Sequence, residues 1–164
     1  MDACFEKATK SLFRFEGLQD YTAMDGEEEI SHFIKTGALL TKPQDVDWCR
    51  NMKLKNERGM FTGRVRMVVK PLNNYTKWEL AWHKAAAEFS GDDIRIIDED
   101  SFKAIFPKAL PDFWMMDDKH VFTLVYGPQG KFIRGEQVPD DQVGEYINYK
   151  NTLIYNSVHV REYL

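Results

Sequence analysis

Apolar and polar positions along the chain follow two different periods. In RVRMVVKP, Val65, Met67 and Val69 alternate with Arg64, Arg66 and Val68. Period-two alternation with β-branched residues predicts a strand with one polar face, closed by Pro71. The period then changes. In NNYTKWELAWHKAAAEFS, Tyr75, Trp78, Glu79 and Trp82 recur at i, i+3, i+4 and i+7, so they share one face of a helix. Asn74 is its capping candidate, Ala85, Ala86 and Ala87 favour the helical state, and Gly91 stops it. DDIRIID alternates again. A strand, a helix of this length and a second strand predict a right-handed crossover and a parallel pair.

Upstream, Asp25 is placed to cap a helix whose first turn holds Glu27, Glu28 and Glu29, carboxylates suited to the positive end of a helix dipole. Ile30, Phe33 and Ile34 form its apolar stripe and Gly37 ends it. Pro43 opens a second helix through Val46, Trp48 and Met52 to about Arg58. Phe5 to Glu16 reads equally as helix or strand. Downstream, a short helical turn is expected within residues 101–111, followed by three strands in FWMMDD, VFTLVYG and KFIRGEQV. The last two are joined by a GPQG turn at Gly127–Gly130. From Pro139, with Asp140 or Asp141 as cap, a final helix carries Val143, Ile147, Leu153 and Ile154. About five strands and four helices, with no repeat or linker, predict one α+β domain over 1–164, close to α/β, with a mixed sheet packed by helices.

Composition narrows the function classes. With 164 residues, 43% of them apolar, the chain can bury a core without a metal or disulfide staple. No apolar run reaches the ~20 residues of a membrane span, and the first fifteen residues lack the apolar stretch of a signal peptide. Cys4 and Cys49 are too few for a disulfide framework. A cytoplasmic address without membrane contact is expected. The net charge of −4 argues against direct nucleic-acid binding, yet it hides an asymmetry. Glu16 to Glu29 holds six acids and no base, Arg50 to Lys70 seven bases against Glu57, and Glu88 to Asp118 nine acids against three bases. These blocks are either solvated faces that attract one another across the fold or, around Arg64 and Arg66, an anion-binding surface.

Catalytic signatures are absent. His32, His83, His120 and His159 are scattered without metal-ligand spacing, so neither metal nor cofactor is expected. The chain contains no HExxH, GxSxG, Walker or GxGxxG motif. Asp112, Asp117 and Asp118 cluster around Phe113 and Trp114, but on a strand Asp117 and Asp118 face opposite sides. An aromatic wall beside Glu79 and the arginine strand suits a small-molecule pocket. The candidate ligand-binding residues are Arg64, Arg66, Tyr75, Glu79, Arg95, Trp114 and Asp117. Arginines would hold an anionic group, rings would supply an apolar wall, and Glu79 or Asp117 would orient a donor. On this reading, loss of Arg66 weakens binding and leaves the melting temperature nearly unchanged.

SLFRFEGLQDY (11–21), RVRMVVKPLNNYTKWELAW (64–82), DDIRII (92–97), DFWMMDD (112–118), YGPQGKFIRGE (126–136) and SVHVREYL (157–164) resemble an uncharacterised bacterial, mainly actinobacterial, family known as a domain of unknown function. Members are often encoded near helix-turn-helix regulators, which implies a regulatory setting. The order of elements is also similar, more distantly, to the effector domain of such regulators and to half of a phospholipase D-like fold. That fold's signature is His-x-Lys-x-x-x-x-Asp. With Asp117 in the aspartate position, Leu110 and Asp112 stand where the histidine nucleophile and the lysine belong. The resemblance therefore implies a scaffold without its nucleophile: a non-catalytic ligand- or partner-binding domain of a bacterial regulatory system. Its partners would be a small anionic ligand, a helix-turn-helix regulator or a second copy of the chain. Two alternatives stay open: an enzyme of unassigned class using Asp117, Glu79 and Tyr75 as acid/base groups, and a protein–protein adaptor.

Overall fold

The computed structural model describes residues 1–163. Three parallel strands form its centre: β1 (Ser11–Glu16), β2 (Phe61–Val68) and β3 (Asp93–Asp98). An antiparallel meander of β4 (Phe113–Met116), β5 (His120–Tyr126) and β6 (Phe132–Gln137) extends the sheet beside β1, and β7 (Val158–His159) pairs antiparallel with β3. The order is β6-β5-β4-β1-β2-β3-β7. The mixed sheet and its α+β class agree with the sequence pattern, but it has seven strands rather than five. The ambiguous opening segment is both of its readings in turn, a short helix α1 (Asp2–Lys7) and then β1. β1 is nearly buried on both faces, so it lacks the polar/apolar alternation of a half-exposed strand. β7 has two residues, too few to show a period.

Between β1 and β2 run α2 (Thr22–Asp25), α3 (Glu27–Thr36) and α4 (Asp47–Glu57); α5 (Asn74–Ser90) crosses from β2 to β3. Helices α6 (Glu99–Ile105) and α7 (Val143–Tyr155) follow β3 and β6. Four starts differ from expectation, the last being α7, which begins at Val143 after a 3₁₀ turn over Asp140–Gln142 rather than from a cap at Asp140 or Asp141. Asn73, one residue earlier than Asn74, caps α5 by accepting from the Thr76 amide at 2.7 Å. Gly26 occupies the α3 cap position, which frees Asp25 to accept from the Tyr75 hydroxyl. Pro43 opens only a 3₁₀ turn, and α4 begins at Asp47.

Strand alternation divides the core. One sheet face sends Phe13, Phe15, Val65, Ile97, Phe113 and Met115 against Phe102 of α6 and Val143 and Leu153 of α7. Full burial of each large side chain contributes about 1.5–3 kcal/mol. On the other face, Val68, Ile94 and Ile96 meet Leu80, Ala86 and Ala87 of α5, while Leu12, Trp114 and Met116 pack with Met52 of α4. Between these two apolar groups the centre of that face carries charge. The GPQG segment is a 3₁₀ turn joining β5 to β6, and it packs on the start of α2. Gly130, at φ 70°, approaches so closely that a Cβ there would lie 2.3 Å from the Asp20 carbonyl oxygen. No helix among the described residues is long and apolar enough to cross a membrane.

Candidate functional site

The register of the central strands assembles the site. Arg14 lies opposite both Arg64 on β2 and Trp114 on β4, and Glu16 lies opposite Arg66. Side chains two apart on a strand share a face, so Arg14, Glu16, Arg64, Arg66 and Trp114 all project toward α5. The helix answers with Tyr75, Trp78, Glu79, Trp82 and His83. Tyr21, Met24 and Asp25 around α2, together with Tyr126 and Phe132 from β5 and β6, complete a cavity of about 370 Å³.

Arginine–carboxylate pairs line its floor. Glu16 Oε1 stands 2.9 Å from both Arg14 Nε and Arg64 Nη1. Arg66 Nε donates to Glu79 Oε2 at 2.6 Å, and its Nη1 donates to the Met67 carbonyl at 2.9 Å. Arg14 Nη2 donates to the Tyr126 hydroxyl at 2.9 Å, and its guanidinium lies 5.2 Å from the Trp114 ring centre. Tyr75 donates to Asp25 and stands 3.3 Å from Glu79 Oε1. Tyr21 donates to Asp112, which also accepts from the Gly17 amide at 2.8 Å.

The charges shift one another strongly. Burial alone would raise the Glu16 pKa, but Arg64 and Arg14 outweigh it and hold the carboxyl down to about 2. Burial, reinforced by the Glu16 charge, pushes Glu79 up to about 7 against the pull of Arg66. Burial and then the Arg64 charge depress His83 to about 3, so its imidazole is neutral at physiological pH. Asp112 is raised by burial, against the hydrogen bond from Tyr21. Two guanidiniums thus share one carboxylate at the floor, while Asp25 and Glu79 add acidic groups to the lining. Four buried polar atoms of cavity-lining residues lack a hydrogen-bond partner: Arg14 Nε, Glu16 Oε2, Trp78 Nε1 and His83 Nδ1. Arg14 Nε is near Glu16 Oε1 as an ion pair, but its N–H is not directed at that oxygen. Buried polar groups ordinarily find partners, so these four atoms mark the floor as polar and incompletely satisfied.

Of the seven residues singled out in the sequence, Arg64, Tyr75, Glu79 and Trp114 line the cavity. Arg66 does not: it is 0% exposed and lies beneath the cavity as a structural member of the Glu79 pair. Arg95 projects from the other face of β3, where it donates to Ser157 Oγ at 3.1 Å and to the Ser157 carbonyl at 2.9 Å. Asp117 sits in the β4–β5 turn at φ 55° and accepts from the backbone amides of Thr9, Lys10 and Ser11 at 3.1, 2.7 and 3.0 Å. It is a clamp on the start of β1, so the Asp117–Glu79–Tyr75 grouping does not form; only Tyr75 and Glu79 meet. Sequence reasoning missed Arg14, Glu16, Tyr21 and His83. The first two were visible as alternate positions of SLFRFE. His83 stands one helical turn beyond Glu79, but a lone histidine carries no metal-ligand spacing in the sequence. With Glu16 and Glu79 it nevertheless forms a buried trio of metal-capable side chains, although arginines already engage both carboxylates.

Comparisons with known proteins agree with this architecture. The chain is similar in structure to Nuc from Salmonella typhimurium, a phospholipase D family member, at a TM-score of 0.54 and 12% identity, covering 96% of this chain and 86% of that one. A weaker likeness, at a TM-score of 0.45 and 12% identity, links it to TrmBL2, an archaeal chromatin protein, of which the match covers 47%. The search of curated proteins found no match. A family model matches residues 1–164 from end to end, and the chain belongs to that family, DUF6879, a domain of unknown function.

Proposed function

We propose that the protein is a non-catalytic recognition domain that binds a small molecule through an anionic group, within a regulatory system. The observation that carries this reading is the cavity floor. Arg14 and Arg64 share a single carboxylate there, and Arg14 Nε and Trp78 Nε1 are unpartnered donors beneath aromatic walls. Charge-assisted hydrogen bonds from such donors suit a carboxylate or phosphate. The phospholipase D-like architecture favours binding over turnover here. Leu110 is a half-buried apolar contact, and Asp112 is occupied by Tyr21 and Gly17, so no nucleophile stands at either position. The resemblance to proteins encoded near helix-turn-helix regulators supports the regulatory setting.

The test is a thermal-shift screen with small aromatic carboxylates and phosphates. A ligand specific for the folded form at a hundredfold excess over Kd contributes about 2.7 kcal/mol, a rise of roughly 5–11 °C for a chain of this size. Arg64→Gln should reduce that rise. No shift with any anion, or turnover abolished by Glu79→Gln, would replace recognition with another reading.

A further inference from the structure

The cavity also contains a cluster of acceptors. One side-chain atom each from Glu16, Glu79 and His83 lies within 4.8 Å of the other two, and all three residues are more than nine-tenths buried. Glu16 Oε2 and His83 Nδ1 have no hydrogen-bond partner. His83, kept neutral by burial and by Arg64, can accept through Nδ1.

Two kinds of cation could satisfy three such acceptors, and their geometries differ. An ammonium group directs its three N–H bonds tetrahedrally, so acceptors about 2.9 Å from the nitrogen stand about 4.7 Å apart. A tetrahedral metal ion with ligands at about 2.1 Å draws them to about 3.4 Å apart. The three atoms lie within 4.8 Å of one another, a span wide enough for the ammonium and also for the closer metal arrangement. Electrostatics is what favours the ammonium. Arg64 engages Glu16 at 2.9 Å and Arg66 engages Glu79 at 2.6 Å, and these guanidiniums repel a bare divalent ion. An ammonium brings half that charge, and in a zwitterion it arrives with its own carboxylate.

The unpartnered donors, Arg14 Nε and Trp78 Nε1, belong to residues that line the same cavity. A volume of about 370 Å³ holds about a dozen heavy atoms at ~30 Å³ per water-sized group. Trp82, Tyr126 and Phe132 supply the remaining wall. We infer that the ligand is a zwitterionic α-amino acid with an aromatic or large apolar side chain, its ammonium held by Glu16, Glu79 and His83 and its carboxylate by Arg14, Arg64 and Trp78. This assignment rests on the recognition reading above and specifies its ligand.

The experiment is calorimetric titration of the full chain with L-phenylalanine, L-tyrosine, L-tryptophan and L-leucine, beside hydrocinnamate, phenethylamine and zinc chloride. At least one amino acid should bind, and more tightly than hydrocinnamate or phenethylamine by roughly tenfold or more, the factor carried by one hydrogen bond to a charged group. His83→Leu should erase that preference while hydrocinnamate still binds, and His83→Gln, which keeps an acceptor, should restore part of it. Circular dichroism confirms that each variant is folded; if His83→Leu is not, the unmodified chain's preference among the three phenyl compounds decides. Hydrocinnamate binding as tightly as L-phenylalanine would overturn the ammonium assignment and leave anion recognition standing. Zinc binding that displaces the amino acid would convert the trio into a metal centre. Failure of every amino acid and every anion would remove both readings.

Discussion

Replacing Arg66 tests the electrostatic architecture most directly. The guanidinium is wholly buried, 2.6 Å from Glu79 Oε2, and also donates to the Met67 carbonyl. Arg66→Met preserves much of the volume and removes the charge, leaving Glu79 without its cation beside the Glu16 carboxylate. Breaking one side of a buried pair costs about 3–5 kcal/mol. At 2–4 °C per kcal/mol for chains of 150–250 residues, the melting temperature should fall by roughly 6–20 °C. The loss should depend on pH in a definite direction. Glu79 is already raised to about 7 with Arg66 present, and without Arg66 it rises further. A carboxyl whose folded pKa exceeds its unfolded value loses stability as pH increases between the two values. The variant should therefore be weakest relative to wild type near pH 8 and recover toward pH 5, where Glu79 is protonated. Urea denaturation at both pH values measures this, and Arg66→Met/Glu79→Leu should regain much of the loss because no buried charge is left unpaired. A change below about 1 kcal/mol at pH 8, the scale of an exposed ion pair, would refute the argument and return Arg66 to the ligand-facing role its sequence position suggested.

Two further outcomes are expected. His83 is depressed to about 3 from 6.5, so its contribution is full above pH 6.5 and declines as pH falls toward 3; at 1.36 kcal/mol per pH unit the loss at pH 5 is about 2 kcal/mol. Denaturation curves of wild type and His83→Leu at pH 8 and pH 5 should show this increment in wild type alone, and equal pH dependence in both would contradict it. Asp117→Ala should destabilise by about 1–2 kcal/mol by releasing the amides of Thr9, Lys10 and Ser11, without altering the affinity of any cavity ligand; an unchanged melting temperature with weakened binding would contradict the clamp role.

Local pattern alone determined most of the elements. The alternation at 64–69, the change to helical spacing at 75–82 and the glycine stops at 37 and 91 correspond to β2, α5 and the left-handed caps of α3 and α5. These signals are legible because they depend on neighbours within one or two turns of chain. The helical wall of the candidate site was legible for the same reason, since Tyr75, Glu79 and Trp82 share a helical face before any tertiary contact exists.

Tertiary structure decided what those residues do. Arg64 and Arg66 are separated by one residue, yet one reaches the cavity and the other is sealed beneath it. The difference arises because Glu79 descends from α5 onto Arg66, whereas Glu16 rises from β1 to Arg64. Arg95 has the same residue type and the same strand alternation, and it points to the opposite face, where Ser157 receives it. Asp117 reads as a site acid until the β4–β5 turn places it against three backbone amides of β1, more than a hundred residues away in sequence. Composition and period establish which side chains share a face. Strand register and helix docking establish which charge meets which, and in a buried site that pairing sets protonation, exposure and the room left for a ligand.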